Sequence, residues 1–280
     1  MTLKALLSAR SIPIDFCRKN VLAGVEGIEP SSGVLETLIL PMNYTPKCFL
    51  ILLQLVFYVN NFEKKTSCDI LVAMITRIEG NILASNTYVV SNGKSCFIVD
   101  CTVPVEKLKE TLLGQKVEAV FITHGHYDHI YFLDEYLKTF DCKFYASEFA
   151  IEYLSDAYKN ASRGSPYPEL EIKGFKKVTA LSYKGEIKVG VFAIKYIQLG
   201  GHSKGDMMFD FGKNIFVGDL VIGRDVGRTD LYGGDKNEMI KSLEFLENYD
   251  YKIMFSGHGK ENEKDTQNKV IKIWKKYLSR

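Results

Sequence analysis

The chain has 280 residues, 46% hydrophobic and 25% charged, enough for one large domain or two small ones whose cores need no staples. Thirty-six basic side chains against 34 acidic ones leave a net charge of +2, so bulk electrostatics point to no polyanionic partner. Aromatic residues at 12%, with no sustained repeat, exclude the disordered, collagen-like and coiled-coil classes.

Residues 1–73 read differently from the rest. Residues 1–47 show no clean period and hold Pro13, Pro30, Pro41 and Pro46. Residues 48–59 (CFLILLQLVFYV) are strongly apolar, but twelve residues fall short of the roughly 20 that span a bilayer. A signal peptide would require initiation near Met42, and no small-residue cleavage site follows in NNFEKKTS. Residues 27–46 (GIEPSSGVLETLILPMNYTP) resemble the antisense translation of a transfer-RNA gene, so 1–73 are expected to be a disordered or spurious extension. The alternative is a short membrane or packing helix over 48–59.

From Met74 one catalytic domain is expected to run to residue 280. Residues 86–91 (NTYVVS) and 95–101 (SCFIVDC) are strands joined by Asn92-Gly93, a hairpin signal. Residues 104–113 form an amphipathic helix with proline near its first turn. A buried strand over 117–123, a helix over 128–140, a strand over 143–146 and a helix over 148–160 follow. Residues 178–197 hold two or three strands, and 207–217 a hairpin turning at Gly212-Lys213. A helix over 237–247, a strand over 252–255 and a closing helix over 265–277 complete the chain. This alternation implies sheets covered by helices.

Three of the five histidines fall in Thr123-His124-Gly125-His126-Tyr127-Asp128-His129, after a strand and at the opening of a helix. Residues i and i+2 of extended backbone point the same way, so His124 and His126 can converge on one metal ion. Asp128 and His129 diverge from that pair and can reach a second. Imidazole with carboxylate suits Zn²⁺, Fe²⁺ or Mn²⁺, and no thiolate lies nearby to close a structural zinc site. His202, Asp219 and His258 each follow a strand-like run and are flanked by glycine. The six cysteines, Cys17, Cys48, Cys68, Cys96, Cys101 and Cys142, form no C-x-x-C pair and read as reduced thiols of a cytoplasmic protein. Cys101 reads as a small buried apolar group.

This order of motifs (an early Asp100, H-x-H-x-D-H, a His, an Asp and a final His) resembles the metallo-β-lactamase superfamily. The resemblance implies an α/β fold, the αββα four-layer sandwich, with a metal site on one edge. It implies that His124, His126 and His202 hold one divalent ion, that Asp128, His129 and His258 hold another, and that Asp219 bridges both. Zinc is the expected metal, with iron or manganese as alternatives. Asp100 is expected to be a supporting carboxylate and not a ligand.

Asp219 departs from the true β-lactamases, which lack an acid in that slot. The metal-site motif and Gly227-Arg228-Thr229-Asp230-Leu231-Tyr232-Gly233-Gly234-Asp235 look like the small hydroxyacylglutathione hydrolase (glyoxalase II-like) branch, which hydrolyses thioesters. Only 22 residues follow His258, too few for the helical extension with which glyoxalase II grips glutathione. Arg228 and Asp230 are expected to lock their loop by an ion pair. The expected substrate is a small-molecule thioester, attacked by water whose pKa two ions lower from 15.7 towards about 7. Asp128 is the expected catalytic proton acceptor. No nucleic-acid or membrane partner is expected, and the oligomeric state is not legible. The alternatives are a mononuclear-iron persulfide dioxygenase, a non-thioester metallohydrolase or nuclease of the same superfamily, a flavodiiron-type site and a non-catalytic binding module. The nuclease is disfavoured by the 38 residues between Asp219 and His258 and the flavodiiron site by His126. The binding module would be expected to lose ligands.

Overall fold

The structure is a computed structural model and describes residues 73–280. The extension expected over 1–73, with its apolar run at 48–59 and the membrane-helix alternative, lies outside the described residues except for Ala73. Strands β1 (Met74–Glu79), β2 (Asn86–Ser91) and β3 (Ser95–Val99) form an antiparallel meander. The Asn92 side chain closes its second turn by accepting from the amides of Lys94 and Ser95. Helix α1 (Val105–Leu112) then carries the chain over to β4 (Lys116–Phe121), parallel to β3. Helices α2 (Tyr127–Ile130) and α3 (Leu133–Thr139) lead to β5 (Lys143–Ser147), and α4 (Glu148–Leu154) precedes β6 (Val178–Leu181). The first sheet has the order β1-β2-β3-β4-β5-β6.

The second sheet is built from the following stretch of chain: β7 (Lys184–Val189), β8 (Phe192–Gln198), β9 (Met207–Phe211), β10 (Asn214–Gly218), β11 (Ile253–Ser256) and β12 (Asn262–Glu263). Its order is β12-β11-β10-β9-β8-β7, antiparallel except for β10 with β11. Helix α5 (Lys236–Asn248) crosses between those two parallel strands, and α6 (Lys264–Leu278) closes the chain.

Alternation along each strand sorts side chains into three cores. Tyr88, Phe97 and Phe121 of the first sheet meet Phe192, Phe209, Phe216 and Phe255 of the second. Their neighbours Val89, Ile98 and Val120 point the other way, onto Leu108 of α1 and Leu133 and Leu137 of α3. Met208, Ile215 and Met254 face Met239, Leu243 and Leu246 of α5 and Ile271 of α6. Each such side chain contributes about 1.5–3 kcal/mol on burial. Strands covered on both faces read as continuous apolar runs, as residues 117–123 do. The four layers are the αββα sandwich. No helix among the described residues is long and apolar enough to cross a membrane.

Two expected helices are shorter in the structure. The one expected over 128–140 is interrupted at Tyr131 and Phe132. There the Cys101 amide donates to the His129 carbonyl (2.8 Å) and the Phe132 amide to the Cys101 carbonyl (3.1 Å), tying the backbone to the end of the first sheet. The one expected over 148–160 stops at Leu154. Asp156 Oδ1 accepts from the amides of Tyr158 and Lys159, the local turn chemistry by which aspartate competes with a helix.

Candidate metal centre

Both sheets end at the same edge, and every residue singled out as a candidate ligand lies there. His124 and His126 lie on the loop that leaves β4, His126 in extended backbone, while Asp128 and His129 sit in α2. His202 lies on the turn after β8, Asp219 directly after β10, and His258 after β11. Their donor atoms fall into three overlapping groups, each within 4.8 Å: His124/His126/His202, His124/His129/Asp219, and Asp128/His129/His258. His124 therefore lies against both ends of the cluster, nearer to His129 than a strict division of ligands between two ions implies, with ring centroids 4.3 Å apart.

Each imidazole is turned by what its other nitrogen touches. His129 Nδ1–H donates to Asp100 Oδ2 (2.8 Å), His202 Nδ1–H to the Arg228 carbonyl (2.9 Å) and His258 Nδ1–H to the Leu83 carbonyl (3.1 Å). His124 Nδ1 lies 3.1 Å from Thr123 Oγ1, whose hydroxyl donates to Asp100 Oδ2 (2.8 Å). These bonds turn Nε2 of all four rings towards the cluster, the orientation a metal requires. His126 enters differently, with Nδ1 2.7 Å from His202 Nε2. Asp100 itself has φ +62°, a left-handed conformation that aspartate tolerates better than most residues. That turn lets its two oxygens take the Thr123 amide (2.8 Å), the Thr123 hydroxyl and His129 together.

Asp219 reaches across the cluster: Oδ1 is 3.3 Å from His129 Nε2, and Oδ2 is 3.3 Å from His258 Nε2 and 3.6 Å from His202 Nε2. Asp128 Oδ2 lies 3.2 Å from His258 Nε2 and 3.5 Å from His129 Nε2. Close backbone approach makes this density of donors attainable. A Cβ on Gly257 would collide with Asp219 Oδ1 and lie 2.6 Å from His129 Cε1, and one on Gly227 would lie 2.6 Å from His202 Nδ1.

Burial sets the electrostatics. It pushes the His126 ring down to about 3 and the His124 ring well below its usual value, so both are neutral donors at pH 7. Burial alone would raise the Asp128 and Asp219 carboxyls, but His129 and His258 together outweigh it and hold both below the usual carboxylate range. Two buried carboxylates at 6% exposure or less thus demand a positive partner. His124 Nε2, His126 Nε2, His129 Nε2 and Asp219 Oδ1 are buried and have no hydrogen-bond partner in the protein. Orphaned imidazole nitrogens beside an orphaned carboxylate oxygen are what divalent cations fit.

The remaining expected residues lie at the rim. Arg228 and Asp230 form a forked pair on the surface, Nε to Oδ1 at 2.7 Å and Nη2 to Oδ2 at 2.5 Å. Cys101 is wholly buried, and burial pushes its thiol up. Sequence reasoning passed over Thr123, which adjoins the motif, and Asp206, four residues past His202, whose carboxylate accepts from the amides of His202 (3.0 Å) and Ser203 (2.9 Å). It also passed over Asn86, inside a strand pattern that gave no polar signal.

The architecture and the edge cluster define a sandwich with histidine–carboxylate groups at one edge that could hold metal. Residues 80–258 match the metallo-β-lactamase superfamily, and the chain belongs to it. It is 27% identical over 191 residues to the probable metallo-hydrolase YqgX of Bacillus subtilis, covering 65% of this chain and 88% of that one. It is also 27% identical over 153 residues to the probable polyketide biosynthesis zinc-dependent hydrolase PksB of the same organism, covering 54% and 60%. Among solved structures, the BLEG-1 B3 metallo-β-lactamase superposes with a TM-score of 0.65 at 26% identity, covering 69% of this chain and 96% of that one.

Proposed function

We propose that the protein is a binuclear metal-dependent hydrolase acting on a small-molecule thioester, with zinc as the metal. The observation that carries the hydrolase reading is the single cluster of five imidazoles and two buried carboxylates with orphaned donor atoms. His124, His126 and His202 would hold one ion, Asp128, His129 and His258 the other, with Asp219 between them. The zinc-dependent hydrolase name of PksB supports the choice of metal. The run from Gly227 to Asp235, which resembles that of the small hydroxyacylglutathione hydrolases, supports the thioester.

Bound divalent ions supply Lewis acidity and water activated at neutral pH. The chain's own residues do the rest. In hydrolysis a water oxygen adds to the carbonyl carbon, the C–S bond breaks, and the products are a carboxylic acid and a thiol. Asp128, kept ionised by its imidazole neighbours, accepts the proton that the water gives up. The thiolate leaves without a general acid and takes its proton from solvent, to which Asp128 returns the one it accepted, so no further proton donor is needed. Asp100 keeps the His129 ring fixed while charge develops, and the Arg228 carbonyl does the same for His202.

The test is metal analysis of protein purified without added metal, followed by assay of the zinc-loaded chain on a thioester panel that includes S-lactoylglutathione. Close to two ions per chain and thioester turnover lost in His126→Ala are expected. Turnover confined to β-lactams or phosphodiesters would reject the substrate class. One iron per chain with oxygen-dependent persulfide consumption would reject the hydrolase.

A further inference from the structure

His258 is the least buried of the five histidines, at 19% side-chain exposure, and it sits on a turn past the end of β11. Its own sheet contributes the Gly257 amide, which donates to the Gly218 carbonyl (2.7 Å). The opposite sheet grips the same turn. The Asn86 amide of β2 donates to the Gly257 carbonyl (2.7 Å), and Asn86 Nδ2 donates to the carbonyls of Gly259 (2.9 Å) and Ser256 (3.1 Å). Tyr88 Oη donates to the Ser256 carbonyl (2.6 Å). Arg77 of β1 orients the Asn86 amide: Nη1 donates to Asn86 Oδ1 (3.1 Å) and to the Gly259 carbonyl (3.1 Å). Next to Asn86, the Ser85 hydroxyl donates to the Asp128 carbonyl (2.9 Å), and Ser85 pairs as an isolated bridge with His258.

We infer that Asn86, oriented by Arg77, is a positioning residue that fixes His258 and thereby sets the affinity of the Asp128/His129/His258 group for its ion. This rests on the two-ion reading above. The amide is wholly buried. It directs its N–H groups to the two carbonyls that flank His258 and to Tyr88 Oη (3.1 Å), and its oxygen to a guanidinium, so it holds the turn in one orientation. The His124/His126/His202 group lies outside this clamp. Its member on the turn after β8, His202, is held by Asp206 and by the Arg228 carbonyl. Loosening Asn86 therefore acts on one ion and not on both.

The test is stepwise Zn²⁺ titration of the metal-free full-length chain, by calorimetry with a competing chelator, beside the thermal midpoint of the metal-free form. Asn86→Asp keeps the shape but turns an oxygen towards two carbonyls. Arg77→Gln releases the amide at a partly exposed position. The wild-type chain is expected to show two steps. In Asn86→Asp one step stays within about twofold while the other loses about 10–100-fold, the scale at which partners of metal ligands act. Arg77→Gln is expected to shift the same step in the same direction by less. A purely structural role would lower the thermal midpoint with both affinities unchanged or equally reduced, and either result overturns the proposal. Should Asn86→Asp fail to fold, Arg77→Gln decides alone: two unaltered steps defeat the inference. A wild-type chain with a single step defeats the two-ion reading itself, and the inference with it.

Discussion

Asp219 touches His129, His202 and His258 at once, so one carboxylate serves a cluster that two ions would share. Asp219→Asn keeps the side chain's shape and removes its charge. Preferential loss of one metal is expected, with turnover reduced at least as far as the roughly 10–100-fold that mutating a ligand's partner costs. Native stoichiometry with a near-native rate would refute the bridging role. Away from the centre, burial pushes the Cys96 thiol up to about 12, against an ordinary value of about 8.5. Between these values the unfolded chain gives up the proton and the folded chain keeps it. The thiol's contribution is therefore full below about pH 8.5 and is lost as pH rises, approaching about 1.4 kcal/mol per unit. Urea unfolding from pH 8 to 10 should show a shallower alkaline decline in Cys96→Ala than in wild type; equal slopes would dismiss the effect.

Elements bring the ligands in by two routes, and these differ in what the sequence discloses. The H-x-H-x-D-H run is local, so strand spacing and the start of a helix already show that its donors can converge. His202, Asp219 and His258 are legible as candidates from strand ends and glycine neighbours. What holds them is not, because Asn86 and Asp206 act through backbone groups far away in the chain or across a turn. The shortened helices after Asp128 and Glu148 were illegible for the same reason: the Cys101 carbonyl and amide capture one, and the Asp156 side chain ends the other. Asp206→Asn removes one of the oxygens that take the His202 and Ser203 amides. It should weaken the ion held by His124, His126 and His202 and leave the other step of the same Zn²⁺ titration in place. At α5, Asp235 Oδ1 accepts from the amides of Asn237 (2.7 Å) and Glu238 (3.0 Å). Asp235→Ala should cost about 0.5–2 kcal/mol in denaturant unfolding, the usual loss of a helix cap, with zinc stoichiometry unaltered.

At the scale of the molecule, residues 74–278 supply both sheets, their covering helices and all three cores. A chain beginning at Met74 should therefore fold, bind metal and match the full-length rate; an insoluble product would show that earlier residues are needed. Each sheet is also a continuous stretch of sequence, β1–β6 followed by β7–β12, with neighbours in the chain adjacent in space. The pairings that build each sheet lie within one stretch, whereas the metal centre takes donors from both stretches and is complete only when they have docked. Its interactions are then expected to form after the transition state for folding. Zinc should accordingly leave the refolding rate nearly unchanged and slow unfolding by almost the full factor that it adds to equilibrium stability, so that the bound ions act as a kinetic lock on a fold already formed without them.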